Sequence, residues 1–140
     1  MKTLLSISVL TFLALAAPKH CLALMEIADV SKERAKELSI NVRSNVAGSN
    51  EVRVWLEFKT KGELAAFSHV ELEITEGESR LVSARLLSER PTSDTIAVNF
   101  IADPANLAKS TLTVVVQPRP ETRIGFRLKV KDFIQPEKSR

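Results

Sequence analysis

The sequence predicts an all-β chain, folded as one antiparallel β-sandwich of about seven strands with one or two short helical turns. Apolar and polar residues alternate through most of the chain from residue 38 onwards, which is typical of strands with one buried face. Turn-forming residues interrupt this alternation, and no pattern of helix length lies between the strands. Short antiparallel connections therefore fit the chain better than the crossover helices of a parallel sheet.

Seven rows of apolar residues at every second position predict the strands. In residues 51–58, EVRVWLEF, the side chains of Val52, Val54 and Phe58 point to one face while their neighbours point to the other. The seven rows lie at residues 38–42, 51–58, 70–74, 80–87, 96–100, 112–116 and 124–130. The alternation is least regular at residues 80–87.

The segments between these rows carry residues that favour turns and helix starts. The predicted loops are residues 45–50, 76–79, 90–94 and 118–121. Ser31 is placed to cap a short helix over residues 32–37. Asp103 followed by Pro104 predicts the start of a second one, because proline is favoured at the first helical position.

Seven antiparallel strands in a chain of this length resemble an immunoglobulin-like or fibronectin-like sandwich. The resemblance covers the architecture only, because the chain has no cysteine pair and no tyrosine, and Trp55 lies on the face opposite the apolar row of its strand. Immunoglobulin strand order would place the strands at 70–74, 112–116 and 124–130 side by side. Their outer face would then run from acidic to basic.

Residues 1–23 have the features of an export signal. Lys2 provides a basic start, residues 4–17 form an apolar run, and cleavage is predicted after Ala23. The remaining chain, residues 24–140, is expected to fold as a single β-sandwich domain.

Two alternatives for this segment fit the sequence less well. A membrane anchor needs about 20 apolar residues to span a bilayer as a helix, and this run has 14. A lipoprotein would be acylated at Cys21, but His20 stands where a small residue is typical. No second long apolar segment follows, so no transmembrane span is expected after signal removal.

Removal of residues 1–23 also changes the chemistry that the chain can offer. Cys21 is the only cysteine, and small exported domains without disulfides are more typical of bacterial envelopes than of animal extracellular modules. The protein is therefore expected in the periplasm or outside a bacterial cell. Loss of Lys2 and Lys19 leaves 18 basic against 17 acidic residues, so no basic excess favours a nucleic-acid or membrane-surface partner.

The sequence predicts no catalytic residue, no metal site and no cofactor. His69 is the only histidine after the signal and is expected to point outward beside Glu71 as a solvated surface residue, and no glycine-rich nucleophile turn accompanies it. The glutamates between Glu71 and Glu78 lack the aspartate-rich spacing of a calcium loop. A small hydrolase that uses surface carboxylates, Glu71 or Glu73, is the alternative from the enzyme class.

Trp55 is the first candidate binding residue. It stands in an outward row of charged side chains that includes Arg53 and Glu57. A large exposed ring in such a row is suited to anchoring a partner or stacking on a sugar. The structural alternative is that Trp55 covers a sheet edge or packs beneath the loop near Phe67.

The second candidate is a basic row on the last predicted strand. Residues 119–140 carry seven basic and three acidic groups. Four of the basic residues are expected on one outward face of that strand, namely Arg123, Arg127, Lys129 and Lys131. The row is suited to an anionic partner, although a row of charges also keeps an exposed strand soluble and discourages edge-to-edge aggregation.

Together these features predict an exported, non-catalytic interaction or structural module of the bacterial cell envelope. Its expected partner is another envelope protein, a second copy of itself or an envelope polysaccharide. A polysaccharide-binding module that uses Trp55 is the alternative within the binding proteins.

We expect the full-length chain to be exported from a bacterial cell and cleaved after Ala23, because an alanine suits a signal-cleavage site. Mass spectrometry of the periplasmic protein should therefore find Leu24 at its N-terminus. An Ala23→Phe variant is the control and should stay uncleaved. A mature protein that keeps residues 1–23 would contradict the export signal.

Overall fold

The computed structural model describes residues 24–134. The predicted export signal at residues 1–23 and the last six residues, 135–140, therefore lie outside the described residues. Strands make up 63% of the described chain, and its two helices are short. The prediction of a mostly β chain is confirmed.

The described chain contains nine strands and two short helices. The strands are β1 (Met25–Asp29), β2 (Asn41–Gly48), β3 (Glu51–Lys59), β4 (Phe67–Glu76), β5 (Ser79–Leu86), β6 (Glu89–Thr92), β7 (Thr95–Ala102), β8 (Ser110–Arg119) and β9 (Thr122–Lys129). The helices are α1 (Lys32–Glu37) and α2 (Pro104–Leu107). Single turns of 3-10 helix follow β3 and β9, at Gly62–Leu64 and Val130–Asp132.

The strands form two sheets, as a sandwich requires. One sheet has five strands in the order β1-β9-β8-β4-β5, and the other has four in the order β2-β3-β7-β6. Neighbouring strands are antiparallel except for β1, which pairs parallel to β9. The sequence-based prediction of about seven strands, all antiparallel, thus missed two strands and the parallel pair. Both missed strands are short, with five and four residues, and mostly exposed, so neither carries a long alternating apolar row.

Both predicted helices are present and capped as expected. The Ser31 hydroxyl accepts a hydrogen bond from the backbone N–H of Arg34 at 3.1 Å, and the Asp103 carboxylate accepts one from the backbone N–H of Asn106 at 2.8 Å. The strand predicted from residue 38 begins only at Asn41. The backbone turns first, because helix α1 is followed by a residue in the left-handed conformation, at Ser39 (φ 57°).

The core lies between the two sheets and consists of the predicted apolar rows. Val54 and Leu56 of β3 are 0% and 1% exposed. The corresponding residues of the other strands belong to the same hydrophobic cluster: Val70, Leu72 and Ile74 of β4, Ile96, Val98 and Phe100 of β7, Leu112, Val114 and Val116 of β8, and Phe126 and Leu128 of β9. Because strand side chains alternate, each of these strands presents its other row outward.

Gly125 makes room for a side chain of β1 where β1 pairs beside β9. It is buried, and a Cβ atom at this position would lie 2.8 Å from Thr113 Cγ2 and 2.9 Å from Ile27 Cδ1. A side chain here would collide with both neighbouring strands. The glycine therefore leaves room for the side chain of Ile27 over the middle of β9.

The two faces of β7 give a direct test of this arrangement. Ile96 is 0% exposed and Ile101 is 45% exposed. We expect Ile96→Ala to lower the free energy of unfolding by about 2 to 5 kcal/mol, because it leaves a cavity between the sheets. The matched variant Ile101→Ala should cost less than about 1 kcal/mol. Urea denaturation measures both, and equal losses would contradict the assignment of the two faces.

Candidate functional site

The structure separates the predicted site residues onto opposite surfaces of the sandwich. Trp55 lies on the outer face of the four-stranded sheet, because its sequence neighbours Val54 and Leu56 are buried on the inner face. The basic residues of β9 lie on the outer face of the five-stranded sheet: Arg123, Arg127 and Lys129. Trp55 and this row therefore do not form one site.

The basic row of β9 is already used in part within the fold. Arg127 Nε donates a hydrogen bond to Asp29 Oδ1 at 2.7 Å and so links β9 to β1. This hydrogen bond holds the pKa of Asp29 below its ordinary value and raises the pKa of Arg127. The predicted neighbours β4, β8 and β9 do lie side by side. Their outer face runs from glutamates on β4 to the basic residues of β9, as the sequence predicted.

Trp55 contacts two arginines rather than lying free on the surface. Arg43 stands directly opposite Trp55 on β2, and its guanidinium carbon is 5.6 Å from the centre of the indole ring. The guanidinium carbon of Arg53, two residues away on the same strand, is 5.7 Å from the ring centre. Both distances are those of cation–π contacts. Arg53 Nε is buried and has no hydrogen-bond partner within the described residues.

Trp55 is half-buried by these neighbours. A sugar that stacks on the ring therefore competes with guanidinium groups already in contact with it. The predicted alternative, packing near Phe67, does not describe the ring's surroundings. Phe67 instead packs edge-on against Phe58, with 5.2 Å between ring centres.

Arg43 also lines a groove of about 670 Å³ at one edge of the four-stranded sheet. The groove lies between the free edge of β2, helix α2 and the residues that follow β9. Most of its lining is apolar and includes Val46, Val52, Leu107, Phe133 and Ile134. The charged groups in the lining are Arg43 and Lys131, and no acidic residue lines it.

Lys131 belongs to this groove and not to the basic row of β9. The prediction that Lys131 extends the outward row is wrong, because β9 ends at Lys129. The 3-10 turn Val130–Asp132 replaces the strand geometry, buries Val130 and directs Lys131 into the groove lining. Within the described residues neither Lys131 nor Arg43 forms a salt bridge.

His69 is buried, so the prediction of a solvated surface histidine is wrong. Its residue exposure is 4%, although it lies on the outward row with Glu71. Ser68 Oγ lies 2.9 Å from the imidazole Nδ1, and Glu71 Oε1 lies 2.8 Å from Nε2. The pairing of β4 with β8 is irregular between Phe67 and His69. The two hydrogen bonds give both ring nitrogens a partner, and they link the His69 side chain to two other residues at this irregular start of β4.

The carboxylates considered for hydrolysis also have partners. Glu71 contacts His69, and Glu73 accepts a hydrogen bond from Arg80 Nε at 2.9 Å. Within residues 24–134 no cluster of three or more histidine, cysteine, aspartate or glutamate side chains is placed to hold a metal ion. No helix in the same range is both long and apolar enough to cross a membrane.

No protein-family model, no curated protein and no solved structure among those compared matches this chain.

The contact between Trp55 and Arg43 should be measurable as a coupling energy. In a double-mutant cycle with Trp55→Leu and Arg43→Met, we expect a coupling of about 0.5 to 1 kcal/mol in the free energy of unfolding, because one cation–π contact is lost. Urea denaturation of the four proteins gives this value. The matched control pairs Trp55→Leu with Arg123→Met, on the opposite face, and should show additive losses. Additive losses in the first cycle as well would contradict the contact.

Proposed function

We propose that this chain is an exported, non-catalytic interaction module of the bacterial cell envelope, that it acts in the periplasm or outside the cell, and that its binding site is the groove lined by Arg43 and Lys131. The proposal of export is supported by the pattern of residues 1–23. The proposal of binding is supported by the charge and the apolar lining of the groove.

We also propose that the sandwich is immunoglobulin-like, and the strand order supports this. In an immunoglobulin variable domain one sheet has the order A-B-E-D and the other contains G-F-C-C′. With β2 as strand A, the order β2-β3-β7-β6 corresponds to A-B-E-D and β9-β8-β4-β5 to G-F-C-C′. The additional strand β1 lies beside β9.

The single observation that carries the functional proposal is the composition of the groove. Arg43 and Lys131 are the two basic residues in a mostly apolar lining that contains no acidic residue. The volume of about 670 Å³ falls in the range of small-molecule sites, roughly 300 to 1,000 Å³. This chemistry favours a small amphiphile, a molecule with an apolar body and one anionic headgroup. The apolar lining takes the body, and the two cations take the headgroup.

Trp55 enters this proposal as a positioning residue. Its ring holds the guanidinium of Arg43 through a contact that leaves the positive charge unneutralised. A carboxylate in the same place would cancel the charge that the ligand needs. The two alternatives have less support: sugar stacking on Trp55 competes with the guanidinium groups, and the carboxylates of Glu71 and Glu73 are bound to neighbouring side chains.

The test uses Trp55 as its reporter, because it is the only tryptophan in the chain. Sodium decanoate, below its micelle concentration, is titrated into the exported protein while tryptophan emission is recorded. We expect a saturable change, since a headgroup on Arg43 alters its contact with the ring. Decyltrimethylammonium has the same chain length and the opposite charge, and it should give no saturable change.

Lys131→Gln should weaken decanoate binding about tenfold, equal to about 1.4 kcal/mol. The matched control is Lys129→Gln, which removes an exposed lysine from the opposite sheet and should leave binding unchanged. The affinity should also fall between low and physiological salt, because the headgroup contacts are electrostatic. Equal binding of the two amphiphiles, or equal effects of the two lysine variants, would contradict the proposed site.

A further inference from the structure

Strand β5 forms an open edge of the five-stranded sheet. It pairs with β4 on one side, and the sheet ends there. Seven of its eight residues are exposed. The backbone N–H and C=O groups along such an edge are a template for pairing with another strand.

The inner row of β5 is apolar but only partly covered. In the pairing with β4, Val82 stands opposite Ile74 and Leu86 stands opposite Val70, so these residues extend the core row. Ile74 is 7% exposed, whereas Val82 is 40% exposed. The four-stranded sheet does not fully cover the inner face of β5, because it has one strand fewer and ends in the four-residue strand β6.

Two leucines add to the apolar surface of this edge. Leu81 is 52% exposed and Leu87 is 91% exposed. Leu81 lies where the pairing of β4 and β5 is irregular, between the partners of Ile74 and Thr75. Large exposed apolar side chains within an open strand and directly after it indicate an interaction surface.

We propose that a second copy of this chain pairs with this edge, β5 against β5, antiparallel about a twofold axis at Ala84. Pairing at this edge involves neither the groove nor its ligand. In this register Val82 lies opposite the partner's Leu86, and Ala84 lies opposite the partner's Ala84. The apolar inner rows of the two copies then meet and continue each other.

The outer row fits the same register. Ser83 lies opposite the partner's Arg85, and Leu81 lies near the partner's Leu87. No two like charges face each other, although the strand carries Arg80 and Arg85. The arginines therefore tolerate this pairing while they discourage others.

Neighbouring registers are worse for a defined reason. An axis at Ser83 would set Val82 opposite the partner's Ala84 and leave Leu86 opposite the irregular part of the partner's strand. An axis at Arg85 would set two arginines opposite each other. An axis between two residues would set each inner residue of one copy opposite an outer residue of the other. The side chains of such a pair cannot lie on the same face of the sheet. The axis at Ala84 avoids all three faults.

The resulting dimer is closed, because a twofold contact uses the same surface on both copies. It joins two five-stranded sheets into one continuous sheet. The groove lies at the free edge of β2, whereas β5 continues into β6 at the far edge of that sheet. Both grooves therefore stay open in the dimer.

The first experiment measures the mass of the exported protein by sedimentation equilibrium over a range of concentrations. We expect a monomer–dimer equilibrium. Ala84→Asp should raise the dimer dissociation constant at least about tenfold, because it places two carboxylates opposite each other at the axis. The matched control is Ala28→Asp, on the exposed strand at the other edge of the same sheet, which should leave the equilibrium unchanged.

The second experiment tests the register. Ala84→Asp and Ala84→Lys should each be monomeric alone, and an equimolar mixture should form a heterodimer, because the opposite charges meet at the axis. Circular dichroism checks that both variants stay folded. A wild-type protein that is monomeric throughout, or a dimer that Ala84→Asp leaves intact, would overturn the proposal. Loss of the dimer in Ala28→Asp would indicate pairing through β1, and a mixture without heterodimer would refute the axis at Ala84.

Discussion

The burial of one apolar layer between two sheets is the constraint on which the other features depend. Residues 24–140 contain no cysteine, so no disulfide within them assists this layer. Each core strand must give one row of side chains to it and present the other row outward. This alternation places Trp55 on one outer surface and the basic residues of β9 on the other. The distribution of candidate binding residues thus follows from the way in which the core is made.

The inner rows were predictable from the sequence because burial itself imposes the period of two. Contacts between distant strands were not. His69 shows the alternation of an outward residue, yet it is buried, at a place where the pairing of β4 with β8 is irregular. Lys131 continues the alternation of basic residues along β9 in the sequence, but the strand ends two residues earlier, at Lys129. Trp55 was identified from its unusual position among charges, whereas Arg43 was missed because only the register of β2 against β3 places it opposite the ring.

The arginines of this fold differ in how their charges are used. Arg127 and Arg80 are matched by carboxylates and support strand pairing, as surface ion pairs of modest strength do. Arg43 is held instead by an aromatic ring, which orients a guanidinium and leaves its charge in place. The groove and the open edge of β5 lie at opposite edges of the sandwich. Ligand binding at one edge and self-association at the other are therefore compatible in one small protein.

The parallel strand β1 can pair only with a strand near the other end of the described chain, so it pairs late in folding. Asp29 and Arg127, which join β1 to β9, are 98 residues apart in sequence. Contacts between such distant residues are slow to form, because the intervening chain loses conformational freedom before they are made. The five-stranded sheet cannot be completed until nearly all of the described residues are available. A chain that is released gradually, from a ribosome or through a membrane, therefore keeps its first strand unpaired until the end.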